Sequence, residues 1–260
     1  MAQLLIFGLG YTAKRIAKEV EKHGWQVDAT GRDGTINFAD TQAVRAALDK
    51  ASHVLSSVPP DRKTGLDPVL EAFGGEFGTA WCGYLSSTGV YGEVGGAWVD
   101  ESAPIGTGRR NARSLADQKW VDLGARVFRL PGIYGPGRSA IDRVSQRKAR
   151  RIDMPGQVFS RCHVDDIASG VVAALTKNSP AGAYNLGDDL PVSGNEVTEH
   201  ACRLLGIEPP PLESLETANL SEMARGFYSE SRRVANGKAK RVLGWKPRYP
   251  TYIEGLAALL

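Results

Sequence analysis

The chain has 260 residues, 42% of them hydrophobic and 23% charged, which supports one or two folded domains around a sizeable core and excludes disorder. Its formal net charge of +3 is too small by itself to argue for nucleic acid or a membrane surface. With 30 glycines and 14 prolines it exceeds ordinary usage yet stays below the low-complexity range, so collagen-like and linker-like chains are also excluded.

From the N-terminus, short apolar runs alternate with amphipathic stretches, the pattern of a parallel sheet covered by helices. Residues 4–7 predict a first strand. Ala13, Ile16, Ala17 and Val20 then recur at helical spacing, which makes one buried helix face. His23-Gly24 closes that helix, and residues 25–30 predict a second strand, with a further short one around Ile36 and Phe38. Val44, Ala47 and Leu48 mark a second helix. Strands follow at 53–58, stopped by Pro59-Pro60, and at 80–85. A helical segment over 109–123 leads through Gly124 into a strand at 125–130. Val164, Ile167, Ala168, Val171, Val172 and Leu175 form another helical stripe. Residues 184–186 read as a late strand and 197–205 as a helix.

The expected architecture is therefore α/β: a Rossmann-type doubly wound parallel sheet with a smaller C-terminal substrate lobe. Residues 1–157 make the dinucleotide-binding domain, with 163–187 returning to it. Residues 188–260 make the substrate lobe, which also uses part of 131–157 and lies at the carboxyl ends of the strands, where open α/β sheets bind ligands.

Cys82, Cys162 and Cys202 lie far apart with no C-x-x-C pair, so neither a disulfide framework nor a thiolate zinc site is encoded. A reducing, cytoplasmic setting is expected. The apolar N-terminal run has no charged leader and stops at Gly8, too early for a signal peptide. No stretch approaches the roughly 20 apolar residues that span a bilayer. His23, His53, His163 and His200 have no metal-ligand spacing, and no G-x-S-x-G elbow or G-x-x-x-x-G-K loop is present. No metal, membrane or nucleic-acid partner is expected, whereas a small-molecule substrate is; the oligomeric state stays open.

Gly8-Leu9-Gly10-Tyr11-Thr12-Ala13 is G-x-G-x-x-A between a strand and a helix. Gly8 permits the tight turn, Gly10 lets a pyrophosphate approach the backbone, and Ala13 keeps helix and strand close. The N–H groups opening this helix suit a phosphate anion, so Tyr11 and Thr12 join the candidate cofactor contacts, as do Val58 and Pro131. About twenty residues on, an NAD site would place an acid; here the chain reads Thr30-Gly31-Arg32. Arg32 suits the 2′-phosphate of NADP, which is the expected cofactor, with NAD the lesser alternative. In the rival reading Asp33 holds the ribose. Asp40 is placed beside the adenine or, alternatively, at a helix N-cap.

With these pieces the chain resembles the extended short-chain dehydrogenase/reductases, the family of nucleotide-sugar epimerases and dehydratases. The resemblance rests on residues 8–13, Leu85-Ser86-Ser87-Thr88-Gly89-Val90-Tyr91-Gly92, Arg129-Leu130-Pro131-Gly132-Ile133-Tyr134-Gly135-Pro136-Gly137, His163-Val164-Asp165-Asp166-Ile167-Ala168 and Leu243-Gly244-Trp245-Lys246-Pro247. It is closest to an atypical branch that keeps the dinucleotide site and often loses the active-site tetrad. It implies that Ser87 hydrogen-bonds the reacting hydroxyl or carbonyl. Thr88 and Gly89 replace the acidic pair of the family's dehydratases, which disfavours elimination.

The family's Tyr-x-x-x-Lys is missing. One register puts Leu115 and Lys119 at those positions. Another aligns Ala116-Asp117-Gln118 with the family's Ala-Glu-Gln and puts Arg109 and Arg113 there; it leaves more room for the following strand. Either removes the phenol, whose general acid–base work is worth typically ~10²–10⁴-fold. Tyr91 and Tyr134 are the candidate replacements, and Tyr91 is carried forward with Ser87 as catalytic. Arg143, Arg147, Lys148, Arg150 and Arg151 form a basic cluster, read as a solvated face in preference to a phosphate site. Two functions follow: an NADP-dependent oxidoreductase or epimerase for a small carbonyl, hydroxyl or sugar-like substrate, or a non-catalytic NADP(H)-binding redox sensor.

Overall fold

The computed structural model describes residues 2–107, 111–220, 225–226 and 228–260. Its strands are β1 (Gln3–Phe7), β2 (Gln26–Ala29), β3 (His53–Ser56), β4 (Trp81–Ser87), β5 (Trp98–Val99), β6 (Arg126–Leu130), β7 (Gly132–Tyr134), β8 (Arg151–Ile152), β9 (Arg161–His163), β10 (Gly182–Asn185), β11 (Leu212–Glu213) and β12 (Arg233–Val234). The helices are α1 (Tyr11–Glu21), α2 (Thr41–Leu48), α3 (Pro68–Phe73), α4 (Asn111–Asp122), α5 (Ala140–Ser145), α6 (Val164–Thr176), α7 (Gly194–Leu205), α8 (Gly237–Leu243) and α9 (Tyr252–Ala257).

Six strands pair in parallel in the order β10-β6-β4-β3-β1-β2. Alternate residues of each strand feed opposite layers, and both layers are apolar. Leu4, Ile6, Leu55, Leu85 and Phe128 face α1 and α6, whereas Leu5, Phe7, Val54, Tyr84 and Val127 face α2, α3 and α4. Burial on two faces is why these strands read as continuous hydrophobic runs. The helix α1 buries Ala13, Ile16, Ala17 and Val20, and burying its Ile and Val side chains contributes ~1.5–3 kcal/mol each. The chain order of the strands reverses beside β1, which opens a crevice at its carboxyl end.

A separate core joins α5, α7 and α9 through Ile141, Val144, Val197, Ala201, Tyr252 and Leu256. Residues past 188 do not all stay in this lobe: Ala239, Leu243 and Trp245 pack with α6 on the sheet. One further expectation is corrected. Ile36 makes only an isolated bridge to Thr30, and Phe38 packs edge-on against Phe7 and Phe73, so no strand forms there. The short α3 was unforeseen, although Asp67 caps it and Pro68 stands in its first turn, a combination that starts helices. His163 is the N-cap of α6, and Asp165 and Asp166 stand in its first turn. Asp166 accepts from the backbone N–H groups of Arg248 and Tyr249 and ties the C-terminal segment down.

Candidate cofactor cleft and active site

The turn after β1 is held from both sides. Gly8 donates its N–H to Thr30 Oγ1 at 3.2 Å, and Ser57 Oγ donates to the Gly8 carbonyl. Gly8 has φ +86°, and a Cβ there would lie 2.9 Å from Val58 Cγ2, so a side chain is excluded by backbone and by space. Val58 thus braces the turn from behind. Gly31, at φ +115°, lets the end of the second strand approach to where a Cβ would sit 3.0 Å from Leu9 N.

Among the described residues, the start of α1 shares with α8 the lack of a side-chain cap and differs in this from other helices. Asp40, Asp67, Ser139, Ser193 and Thr251 each cap a helix with a side-chain oxygen. Gly10 offers none, the first turn of α1 carries no acid, and the space in front of Gly10 is open to 4 Å. Uncapped N–H groups and the positive end of an 11-residue helix therefore face a cleft of about 510 Å³, an arrangement that fits a phosphate. Tyr11, Thr12 and Pro131 line the same cleft, and Ala13 is buried on the core side.

Arg32 is exposed beside this turn. Asp33 pairs with Lys14 at 2.6 Å, and the Lys14 hydrogen bond holds its carboxyl below the usual range. Lys14, which the sequence reading missed, thereby occupies the rival ribose ligand. Asp40 accepts from Ala43 N at 3.0 Å as the cap of α2, the alternative that the sequence left open.

At the other end of the cleft, β4 delivers Ser86 and Ser87. Ser87 Oγ accepts from Gly89 N at 3.1 Å and caps the 3₁₀ turn Thr88–Tyr91; among the described residues its own O–H has no acceptor. Ser86 Oγ donates to Asp117 Oδ2 at 2.5 Å. Asp117, fully buried, binds Arg129 through Nη2 at 2.7 Å and Nε at 3.1 Å. Arg113 reaches the cleft from α4 and donates to Tyr84 Oη at 2.8 Å and to the Leu85 carbonyl at 3.3 Å. Leu115 is 64% exposed and Lys119 points outward to Glu71, so neither lines the cleft. Arg109 lies outside the described residues.

Tyr91 is not where a catalytic phenol belongs. Its ring is 1% exposed, its hydroxyl donates to Asn185 Oδ1 at 2.8 Å and accepts from Arg129 Nη1 at 3.1 Å, and burial pushes its pKa up to about 12. The 3₁₀ turn rotates it into the core. Tyr134 donates to the Thr251 carbonyl at 3.4 Å, and burial raises it well above the ordinary tyrosine range. Arg143, Arg147, Lys148 and Arg150 of the basic cluster are exposed, as in a solvated face; Arg143, Lys148 and Arg150 also line a second cavity of about 450 Å³, while Arg151 pairs with Glu199. Arg138 and Arg161, unremarked in the sequence, line that cavity too.

No family model matches the chain. A conserved protein of unknown function from Silicibacter pomeroyi is 40% identical over 100% of this chain and 98% of its own, with a TM-score of 0.88, so the two belong to one family. A dTDP-glucose 4,6-dehydratase from Bacillus anthracis in complex with NAD (16% identity, TM-score 0.78, 99% and 94% of the two chains) and a human epimerase family protein with NADPH (15%, 0.79, 99% and 98%) share the fold. The structural neighbours are NAD(P)-dependent epimerase/dehydratases, the extended short-chain dehydrogenase/reductases. The chain has their fold. A Streptomyces 3-diazoavenalumate denitrifying reductase is 32% identical over 145 residues, 52% of this chain and 47% of that one, so the match spans about half of the reductase.

Proposed function

We propose that the protein is an NADP-dependent oxidoreductase or epimerase of the extended short-chain type, acting on a small carbonyl, hydroxyl or sugar-like substrate. The observation that carries this reading is the uncapped start of α1 opening on the same cleft as Ser86, Ser87 and Arg113. Gly8, Gly10, Tyr11 and Thr12 would hold the pyrophosphate and Pro131 the nicotinamide end. Arg32, with Lys14 occupying Asp33, would meet the 2′-phosphate. A bound nicotinamide supplies the hydride chemistry.

The protein's own part follows from its hydroxyls and guanidinium. Ser87 donates its O–H to the reacting oxygen. Arg113, fixed by Tyr84 and Leu85, stabilises negative charge developing there without reorganising. An arginine does not exchange protons, so the proton passes through Ser87 and cleft water. This site is slower than a tyrosine-bearing one by up to the ~10²–10⁴-fold that a general acid supplies. The half-length similarity to a reductase supports reduction as the direction. Burial of Tyr91 favours the second reading, a redox sensor that binds the dinucleotide without turnover.

The test is titration with NADPH, followed by nicotinamide fluorescence and calorimetry. Gly10→Asp, which sets a carboxylate at the helix start, should weaken binding at least about tenfold with little change in melting temperature. Unaltered binding would refute the site. Substrate-dependent NADPH consumption that Ser87→Ala abolishes would reject the sensor.

A further inference from the structure

The second cavity adjoins the cofactor cleft, and the two share Gly132, Ile133, Arg138 and Phe159 as walls. Its charge is one-sided. Arg138, Arg143, Lys148, Arg150 and Arg161 line it, with no carboxylate among the described lining residues. Arg161 is the buried member, 9% exposed. Its Nη2 donates to the Val192 carbonyl at 3.1 Å, and its guanidinium stacks 5.6 Å from the Tyr252 ring. Its Nη1 is buried with no hydrogen-bond partner. An unmet N–H on a buried cation is costly, and an anionic ligand on this wall would satisfy it.

The nearest compensating acid does not do so. Asp188 is 2% exposed and faces Arg161 electrostatically, but among the described residues no hydrogen bond joins its carboxylate to the Arg161 guanidinium. Burial raises its pKa to about 7, so near neutral pH it offsets only part of the arginine's charge. Glu196, the other acid near Arg161, is engaged in capping α7. The cavity's remaining character is aromatic: Phe159 and Tyr228 meet edge to face at 6.1 Å, and Tyr252 lies opposite beneath the guanidinium.

We infer that this cavity takes the acidic end of the substrate, a flat ring-bearing carboxylate whose carboxylate meets Arg161 and whose ring lies among Phe159, Tyr228 and Tyr252. The inference rests on the proposed function and specifies its substrate class. A planar guanidinium fork matches a carboxylate. Arg143, Lys148 and Arg150 are exposed, and Arg150 is committed to Glu213 and the Ala218 carbonyl, which leaves Arg161 as the buried cation among the described residues of this wall. The reactive end of such a ligand would extend past Ile133 toward Ser87.

Calorimetry on the protein saturated with NADP tests this, with cinnamate, the neutral cinnamamide, inorganic phosphate and uridine diphosphate as probes. Cinnamate should bind at least about tenfold more tightly than the amide. Arg161→Lys should erase that preference while leaving cinnamamide unchanged. If this variant does not fold, Gly194→Phe serves instead: Gly194 lines the cavity, and a Cβ there meets nothing within 4 Å, so the ring should block cinnamate. Equal binding of acid and amide, tighter binding of phosphate or uridine diphosphate, or no response to either variant would overturn the inference. NADP affinity read in the same samples separates the two levels: intact cofactor binding with no carboxylate preference sinks only this assignment, and lost cofactor binding sinks the function itself.

Discussion

Replacing Asp117 with leucine strips Arg129 of its counter-charge in the protein interior. The pair is 0% and 5% exposed at its side chains, and the carboxylate accepts from both Nε and Nη2 of Arg129 and from Ser86. After the substitution Arg129 keeps, among the described residues, Tyr91 Oη at 3.1 Å, the Glu101 carbonyl at 3.5 Å and the face of the Tyr91 ring. Removing one partner of a buried pair costs about 3–5 kcal/mol. At about 2–4 °C per kcal/mol for chains near this size, the melting temperature should fall by roughly 6–20 °C. The double variant Asp117→Leu with Arg129→Leu removes both charges and should recover most of that loss. Urea denaturation followed by near-ultraviolet circular dichroism gives the four corners of the cycle. A single-variant loss below about 1 kcal/mol, or a double variant as unstable as the sum of its parts, would refute the argument that the pair holds β4, β6 and α4 together beneath Ser86.

Three other outcomes follow from the geometry. Arg32→Ala should weaken NADPH about ten- to a hundredfold while leaving NADH nearly unchanged; equal weakening in a side-by-side titration would return the ribose to another ligand. Tyr91→Phe should lower stability by about 1–3 kcal/mol, because it removes a buried hydroxyl bonded to Asn185 and Arg129, with NADPH affinity held within about twofold; a changed affinity at unchanged stability would put Tyr91 back in the site. Asp188 is raised by burial from 3.8 to about 7. Between those values the folded state keeps a proton that the unfolded chain has released, so stability falls as pH rises through the window. Asp188→Asn should abolish that slope, and a urea midpoint with the same pH dependence in both proteins would contradict it.

Contiguous residues carried most of the architecture. The unbroken apolar run of residues 4–7, the helical spacing from Ala13 to Val20 and the glycine turn between them are local patterns, and each implies its own geometry through backbone sterics and the need to bury apolar faces. The register of α4 was half legible, since Ala116 and Trp120 had to face inward while Leu115 and Lys119 did not. Periodicity says which face of an element is covered, but not by what. Whether Tyr91 met a ligand or the core depended on a 3₁₀ turn and on Asn185, 94 positions away. Lys14 could be paired with Asp33 only once α1 and the end of β2 lay side by side. The second cavity draws its walls from Gly132 through Leu256, and no stretch of chain contains it. Arg161 reads in sequence as one more basic residue; its burial, and hence the free energy that makes it a candidate anion site, exists only where β9, α7 and α9 close around it.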